Sequence, residues 1–493
     1  MMMCRSSLSL LVLCFLFPPP FVWQCNGHAS KNIFAAAEED DSWTFLVMPD
    51  QHDFTPFSFD KDSEETQKVW TESLRILKAM KEDYGGDLVL ISGDSAQYGN
   101  LSLGNIQAMT GIAEAGKAVY TAGVTCYRMI RELFKAAGFD ELLVAVGDHE
   151  LGGNKGFRAK GSKSKVLTVP ASRKAFADGY NKRENESFIF NDAIGNVTSR
   201  PLGTTFEDTS FAYRKNNVLF ITVDVFKIVG HGDRNYFDRI NGFGGEGVIT
   251  CDVSGAHLDW FEDILRGAKK DLNIKHIIVQ GHVPIILPVR KVRCSGQVSA
   301  NHSFNTNALI HARLINTIFD AVAKQILDGA DDSGLWKIMS KYGVDVYFAG
   351  EVHTNTASKS RDPESGVVQI VARGRTLSNF ITVQVFDDVL DIALMNEIGE
   401  KQRWNGDYEE SGHLTIDKRN SSNTIVSSSG ELELIDPDSS LIKFDFEEIL
   451  PLGSRQVSKR IHSSDYFTLS SRLTPSPLYF FIQHTGVRTV WSR

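Results

Sequence analysis

At 493 residues the chain is longer than one ordinary domain, and a single large core with insertions and an appendage competes with two domains on length alone. A hydrophobic content of 42% with 23% charged residues excludes wholesale disorder. The formal net charge of -9 argues against a protein that coats nucleic acid, so no stable nucleic-acid complex is expected.

The first thirty residues read as a secretory signal. Arg5 sits in a short polar start, an apolar run from Leu8 to Phe17 follows, and prolines lead to Gly27-His28-Ala29 as a small-residue cleavage site. This apolar core is shorter than the ~20 residues a bilayer span needs, which favours a signal peptide at 1–29 over an uncleaved anchor. No later stretch is long enough to span, so the expected location is secreted, extracellular or endomembrane lumen, with no transmembrane segment after cleavage. Sequons at Asn100, Asn185, Asn196, Asn301 and Asn420 fit a glycoprotein. Beyond the signal core lie Cys25, which leaves with the signal, and Cys126, Cys251 and Cys294. One disulfide plus a buried thiol is the simplest arithmetic, and Cys251 with Cys294 is the preferred pair because both sit in loop-like sequence.

The folded part opens with the apolar run Phe45-Leu46-Val47-Met48, ending in Pro49-Asp50-Gln51-His52. Residues 63–83 place Trp70, Leu74 and Leu77 on one helical face, and Gly85-Gly86 stops the helix. The strand Leu88-Val89-Leu90-Ile91 then ends in Ser92-Gly93-Asp94, giving a βαβ unit that brings Asp50 and Asp94 to the same sheet edge. A helix over 126–137 precedes the strand Leu143-Val144-Ala145-Val146, which breaks at Gly147 and delivers Asp148, His149 and Glu150. Residues 152–215 have little periodicity and are expected to form a long surface insertion.

The β pattern resumes at Val218 and runs to Val223-Asp224, and a glycine-rich loop spans 230–247. A helix over 254–270 leads into Ile277-Ile278-Val279-Gln280-Gly281-His282, and a helical stretch over 309–342 leads into Val346-Tyr347-Phe348-Ala349-Gly350-Glu351-Val352-His353. Val367 to Val371 and Ile381 to Val385 lack crossover helices and suggest antiparallel pairing at a sheet edge. From about Lys401 the sequence turns polar and serine-rich, with short strands such as Leu432 to Ile435 and Leu441 to Phe446, consistent with a small β appendage or a partly disordered extension.

Five apolar runs thus end in Asp, Glu or His. One such tip would mean little, but five suggest a shared metal site. Asp50 and His52 stand two apart, so on a continuing strand both point to the same side. Asp94 has two oxygens and can bridge two ions. The donor set is nitrogen and oxygen without thiolate, which suits two divalent ions such as Mn, Fe or Zn.

The ordered set Asp50-Gln51-His52, Gly93-Asp94, Gly147-Asp148-His149-Glu150, Gly281-His282 and Gly350-Glu351-Val352-His353 resembles the calcineurin-like metallophosphoesterases over roughly residues 43–395. The resemblance implies an α/β chain whose core is a two-sheet β-sandwich flanked by helices, here with long loop insertions and a β-rich C-terminal extension. In domain terms it implies a signal peptide at 1–29, a metallophosphoesterase domain at 42–398 and an extension of unknown role at 399–493. It puts Asp50, His52, Asp94 and His353 on a first metal and Asp94, Asp148, His282 and Glu351 on a second. His149 becomes the general acid, with Glu150 its neighbour rather than a ligand. The activity implied is hydrolysis of a phosphate ester by metal-activated water, a phosphomonoesterase first, with two alternatives: a phosphodiesterase acting on nucleotides or lipid headgroups, or a catalytically degenerate metal- or ligand-binding glycoprotein.

Two positions depart from the family pattern: Asp148 replaces its amide and Glu351 replaces a histidine. Four carboxylates then face two cations, and the formal site charge falls from about +2 to about 0. Such a site should hold a harder or more highly charged ion and attract a phosphate dianion less. Tyr98 is displaced by one position from the spacing of a purple-acid-phosphatase tyrosine and stays off the ligand set. Arg373 and Arg375 are candidates for phosphate contact, and Asp224 either supports the site or ends its strand. His231, His302 and His311 lie outside the motif order and read as surface residues.

Overall fold

A computed structural model of the chain describes residues 42–52, 62–96, 98, 101–152, 164–183, 185–229, 248–251, 253–286, 333–351, 353–360, 362, 364–374, 377–398, 406–419, 424–435, 468–469, 481–484 and 487–490. The signal segment, the 230–247 loop, Cys294, Arg375, His231, His302, His311, the sequons at Asn100, Asn301 and Asn420, the helical stretch before 333 and the strand expected at 441–446 lie outside the described residues.

Strand β1 (Trp43–Val47) leads to helix α1 (Glu64–Tyr84) and strand β2 (Leu88–Ile91). Ser63 caps α1 by accepting the Thr66 N–H, Glu64 and Glu65 complement the positive helix end, and Gly85 terminates it at φ 70°. Helices α2 (Leu103–Thr110) and α3 (Ala115–Ala136) then lead to β3 (Glu141–Val144). Helix α4 (Ser164–Phe176) runs into a π turn (Ala177–Asn181), followed by β4 (Phe211–Lys215) and β5 (Val218–Thr222). A ribbon of β6 (Phe226–Val229) and β7 (Val248–Cys251) precedes α5 (Gly255–Ala268), β8 (His276–Gln280), α6 (Gly334–Tyr342) and β9 (Val346–Ala349). Seven strands complete the two main sheets: β10 (Thr356–Lys359), β11 (Val368–Val371), β12 (Asn379–Val385), β13 (Val389–Glu397), β14 (Tyr408–Asp417), β15 (Ile425–Gly430) and β16 (Leu434–Ile435).

Among the described residues each main sheet has seven strands, in the orders β15-β14-β13-β12-β1-β2-β3 and β16-β10-β11-β9-β8-β5-β4. Strands β1, β2 and β3 are parallel, as are β5, β8, β9 and β11, so within each parallel set the carboxyl ends lie on one edge. Alternation along β1 divides the core. Phe45 and Val47 join Phe220, Ile278, Val346 and Ile370 of the second sheet in one apolar layer, with the Phe45 and Phe220 rings edge-on at 5.2 Å. Leu46 and Met48 join a second cluster with helical residues such as Ile76, Leu77 and Ile130. The two-sheet sandwich with flanking helices is the architecture that the metallophosphoesterase resemblance implies.

Four expectations change. Residues 164–181, expected within a surface insertion, form a helix whose Val169, Phe176 and Tyr180 are buried, with Pro170 inside it. Helix α3 starts at Ala115 rather than at 126, and α2 precedes it. Strand β11 pairs parallel with β9 as well as antiparallel with β10, and β12 sits between β1 and β13, so neither is an edge strand. Residues 406–435 are built into the sandwich rather than appended to it: β14 and β15 extend the first sheet, and β16 pairs with β10 in the second.

Candidate metal centre

The expected donors converge. Asp50 and His52 follow β1, Asp94 follows β2, and Asp148 and His149 follow β3, while from the facing sheet His282 follows β8 and Glu351 and His353 follow β9. Among the described residues three groups have mutually close donor atoms, within each group all within 4.8 Å of one another: Asp50, His52 and His353; His52, Asp94 and His149; and Asp94, Asp148, His282 and Glu351. Asp94 belongs to two of the groups. Its Oδ2 lies 3.6 Å from His52 Nε2, 3.7 Å from His149 Nε2 and 3.3 Å from His282 Nε2. His149 Nε2 also stands 3.7 Å from Asp148 Oδ1.

The backbone is bent to achieve this. Asp50, Asp94, Glu351 and His353 have φ of 51°, 52°, 65° and 47°, the left-handed region that side chains other than glycine seldom adopt, at about 1–2 kcal/mol per residue. Glycines precede three of the carboxylates: Gly93 turns at φ 89°, whereas Gly147 and Gly350 are there for space. A Cβ on Gly147 would overlap the Asp94 carboxylate, and one on Gly350 would overlap that of Asp50.

Hydrogen bonds orient the ligand atoms. His282 Nδ1 donates to Ser92 O at 2.9 Å, which leaves its Nε2 toward Asp94 and Glu351, and His353 Nδ1 faces Arg373 O at 3.3 Å. Asp50 Oδ1 accepts the Glu351 N–H at 3.1 Å, and Asp94 Oδ1 accepts the His149 N–H at 3.0 Å. Gln280 joins the two sheets behind the donors, its Nε2 donating to Leu143 O at 2.8 Å and to Thr222 Oγ1 at 2.9 Å.

The electrostatics call for cations. Burial, with help from Asp94 and Glu351, pushes the Asp50 carboxyl well above its usual range. Burial, then Glu351 and Asp94, do the same to Asp148. Burial opposes ionisation of Asp94 as well, but His149, His282 and His52 hold its carboxyl well below the ordinary value. Burial takes His52 down to about 4, whereas for His149 the pull of Asp94, Asp148 and Glu351 overcomes burial and raises it to about 9. Burial and Asp94 push Glu150 up to about 7. Both oxygens of Asp148 and Oδ2 of Asp50 are buried without a hydrogen-bond partner. Buried carboxylate oxygens are normally satisfied, and oxygens clustered with imidazole nitrogens fit divalent ions of the Mn, Fe or Zn kind.

No protein-family model matches the chain, and no curated protein does. Among solved structures it is similar to a dimetal phosphatase from Danio rerio, at 13% identity over 76% of this chain and 98% of that one, with a TM-score of 0.38. It is similar to PhoD at 12% identity, covering 80% of this chain and 72% of that one, with a TM-score of 0.41. A third similarity is to GAP50, the anchor in the inner membrane complex of Plasmodium, at 10% identity over 75% and 88% of the two chains and a TM-score of 0.34. These are likenesses of chain trace, and the chemistry of this chain rests on its own side chains.

Several residues weighed in the sequence fall outside the donor set. Tyr98 is buried with its hydroxyl 2.5 Å from Ser172 Oγ, in a hydrogen-bonded cluster with Tyr127 rather than among the donors. Asp224 is a strut: its carboxylate takes Arg173 Nε at 2.8 Å, Thr209 Oγ1 at 2.7 Å and the Phe226 N–H at 3.0 Å. Arg373 lends its carbonyl to His353, and its Nη2 lies 3.5 Å from Asn396 Oδ1. Gln280 and Glu150 were missed as site-supporting residues. The one available signal was position, since Glu150 follows His149 directly and Gln280 comes two before His282.

Proposed function

We propose that this chain is a dinuclear metal-dependent phosphoesterase that cleaves a phosphate ester with water as the nucleophile. The observation that carries the reading is the convergence of seven oxygen and nitrogen donors from five strand ends on overlapping groups, linked through His52 and Asp94. Asp50, His52, Asp94 and His353 would hold one ion, and Asp94, Asp148, His282 and Glu351 the other. When bound, such ions polarise a phosphoryl oxygen and make hydroxide available near neutral pH.

The protein's own part is to orient and to move a proton. The Nδ1 contacts of His282 and His353 with backbone carbonyls keep their Nε2 atoms toward the ions, and the glycines at 147 and 350 let the loops close around them. His149 is the proposed general acid. Asp94 and Asp148, each 3.7 Å from its Nε2, favour a proton there that can pass to the leaving alkoxide. The group of His52, Asp94 and His149 would also allow His149 to act as a ligand, and the acid role is preferred because the other seven residues already complete two sets.

A phosphomonoester is the preferred substrate class. The four carboxylates favour a second reading, a phosphodiesterase, since they bring the formal site charge to about 0 with two divalent ions and a diester carries only one negative charge. The proposed cellular route is secretion after removal of residues 1–29, with glycans on exposed asparagines such as Asn185 and Asn196. No helix among the described residues is long and apolar enough to cross a membrane.

The test is metal analysis combined with turnover of mono- and diester chromogens in the presence of Mn, Zn, Mg, Fe or Ca. Two tightly held ions, with turnover lost in His149→Ala, support the enzyme. One ion and no turnover would leave a metal-binding glycoprotein that has kept the scaffold.

A further inference from the structure

Glu150 contributes no atom to the three donor groups, yet two of the donor loops close on it. Its buried Oε2 accepts the N–H of Asp94 at 2.9 Å and of Gly147 at 2.7 Å, and Oε1 accepts Ser95 Oγ at 3.0 Å and the Ala96 N–H at 3.1 Å. Three of these donors lie on the loop after β2, where Asp94 turns at φ 52°. The fourth lies on the loop after β3, one residue before Asp148. The tie is reciprocal, because Asp94 Oδ1 accepts the His149 N–H from that second loop at 3.0 Å.

Glu150 is itself held by a buried relay of hydroxyls from the 164–181 helix and from α3. Tyr180 donates to Ser95 Oγ at 3.0 Å, and Ser95 donates to the carboxylate. On the other side Tyr127 donates to Tyr98 at 3.1 Å, Tyr98 lies 2.5 Å from Ser172 Oγ, and Ser172 donates to the Glu150 carbonyl. Both arms end on the same residue. A carboxyl group that takes four donors from two loops is a rigid hub, since neither loop can move without breaking several of these bonds together.

We infer that Glu150 is a positioning residue, which holds the Asp94 turn against the Gly147-Asp148 loop so that the two carboxylates meet the same ion pair, with the helix at 164–181 as its brace. The inference rests on the reading that Asp94 and Asp148 bind metal. It assigns Glu150 no contact with substrate.

The experiment is calorimetric titration of the chelator-stripped full chain with Mn²⁺, beside circular dichroism and thermal melting. Glu150→Gln retains the shape but offers one acceptor oxygen, and its amide N–H₂ faces donors it cannot satisfy. It is expected to keep the helical signal and to weaken Mn²⁺ binding by about 10–100-fold, the usual effect of removing a residue that orients ligands. Ser95→Ala removes one of the four donors and is expected to weaken binding by about threefold to tenfold, which keeps the inference testable should Glu150→Gln not fold. Tyr127→Phe, at the far end of a relay, is expected to lower the melting temperature and leave Mn²⁺ affinity unchanged.

A native chain that takes up two Mn²⁺ while Glu150→Gln, or in its place Ser95→Ala, titrates identically overturns the inference and leaves the metal reading intact. Weakening in Tyr127→Phe as large as in Glu150→Gln also overturns it, because general loosening would then explain both. A native chain that takes up no Mn²⁺ fails the metal reading itself.

Discussion

His282 Nε2 and Glu351 Oε2 lie 2.9 Å apart, both side chains buried, at the ends of the neighbouring strands β8 and β9. A histidine at position 351 would set two imidazoles there. The glutamate adds a negative charge instead, next to Asp94 and Asp148. Glu351→Ala is expected to lower the metal content from two ions per chain to one, read by elemental analysis. Glu351→His, which removes one formal charge, is expected to raise the ratio of monoester to diester kcat/KM by roughly tenfold, equivalent to about 1.4 kcal/mol.

Gly147 admits no side chain. A methyl group there would strike the Asp94 carboxylate and backbone nitrogen, and neither can retreat because both are hydrogen-bonded, to His149 and Glu150. Gly147→Ala is expected to destabilise the fold by about 1–3 kcal/mol and to abolish uptake of the second ion, measured by urea unfolding and metal analysis.

Arg173 and Asp224 form a buried ion pair, with Arg173 also donating to Phe226 O at 2.6 Å. Arg173→Met leaves the Asp224 carboxylate in the interior without its cation and is expected to cost about 3–5 kcal/mol in urea unfolding. Adding Asp224→Leu should recover part of that loss, because the desolvation penalty leaves together with the charge while Thr209 and the Phe226 N–H lose their acceptor. If the double variant were no more stable than the single one, the penalty would lie elsewhere.

His413 on β14 lies 2.6 Å from Asp391 on β13, and its hydrogen bond to that carboxylate raises the imidazole from 6.5 to about 9 despite partial burial. A raised folded-state value means that the unfolded chain releases this proton first as pH increases. The contribution is therefore complete below 6.5, declines between 6.5 and about 9, and is gone above that. With the His413 side chain 30% exposed it should be worth no more than about 1 kcal/mol. The melting-temperature difference between the native chain and Asp391→Asn should accordingly be largest near pH 6 and vanish near pH 10.

The donors were legible in the sequence because each follows an apolar β-branched run that can only be an interior strand, so its polar successor had to emerge at a sheet edge. The parallel order of β1, β2 and β3 followed from the helices between them. The helix at 164–181 was hidden for a local reason: Pro170 and the lysine- and glycine-rich residues before it mimic a loop, and its burial comes from aromatic packing of Phe176 and Tyr180 with Tyr127. Strands β14 and β15 were obscured by serine and by alternation on one face only, where Leu414 and Ile416 are buried and their neighbours are not. The parallel partnership of β11 with β9 is a matter of register, which no short stretch of residues encodes. Glu150 was visible as a neighbour, but its four donors come from loops that only the fold brings together.

The Glu351 N–H that reaches the Asp50 carboxylate does so across 301 positions of chain. A ribosome that has delivered the first strand must therefore add nearly the whole sandwich before the centre can close, so shorter nascent chains carry its acidic loops without their partners. The proposed metal centre can then assemble only when the chain is nearly complete, which would make a finished ion site a marker of completed folding. A pulse-labelled chain should acquire protease resistance and tightly held metal in the same step.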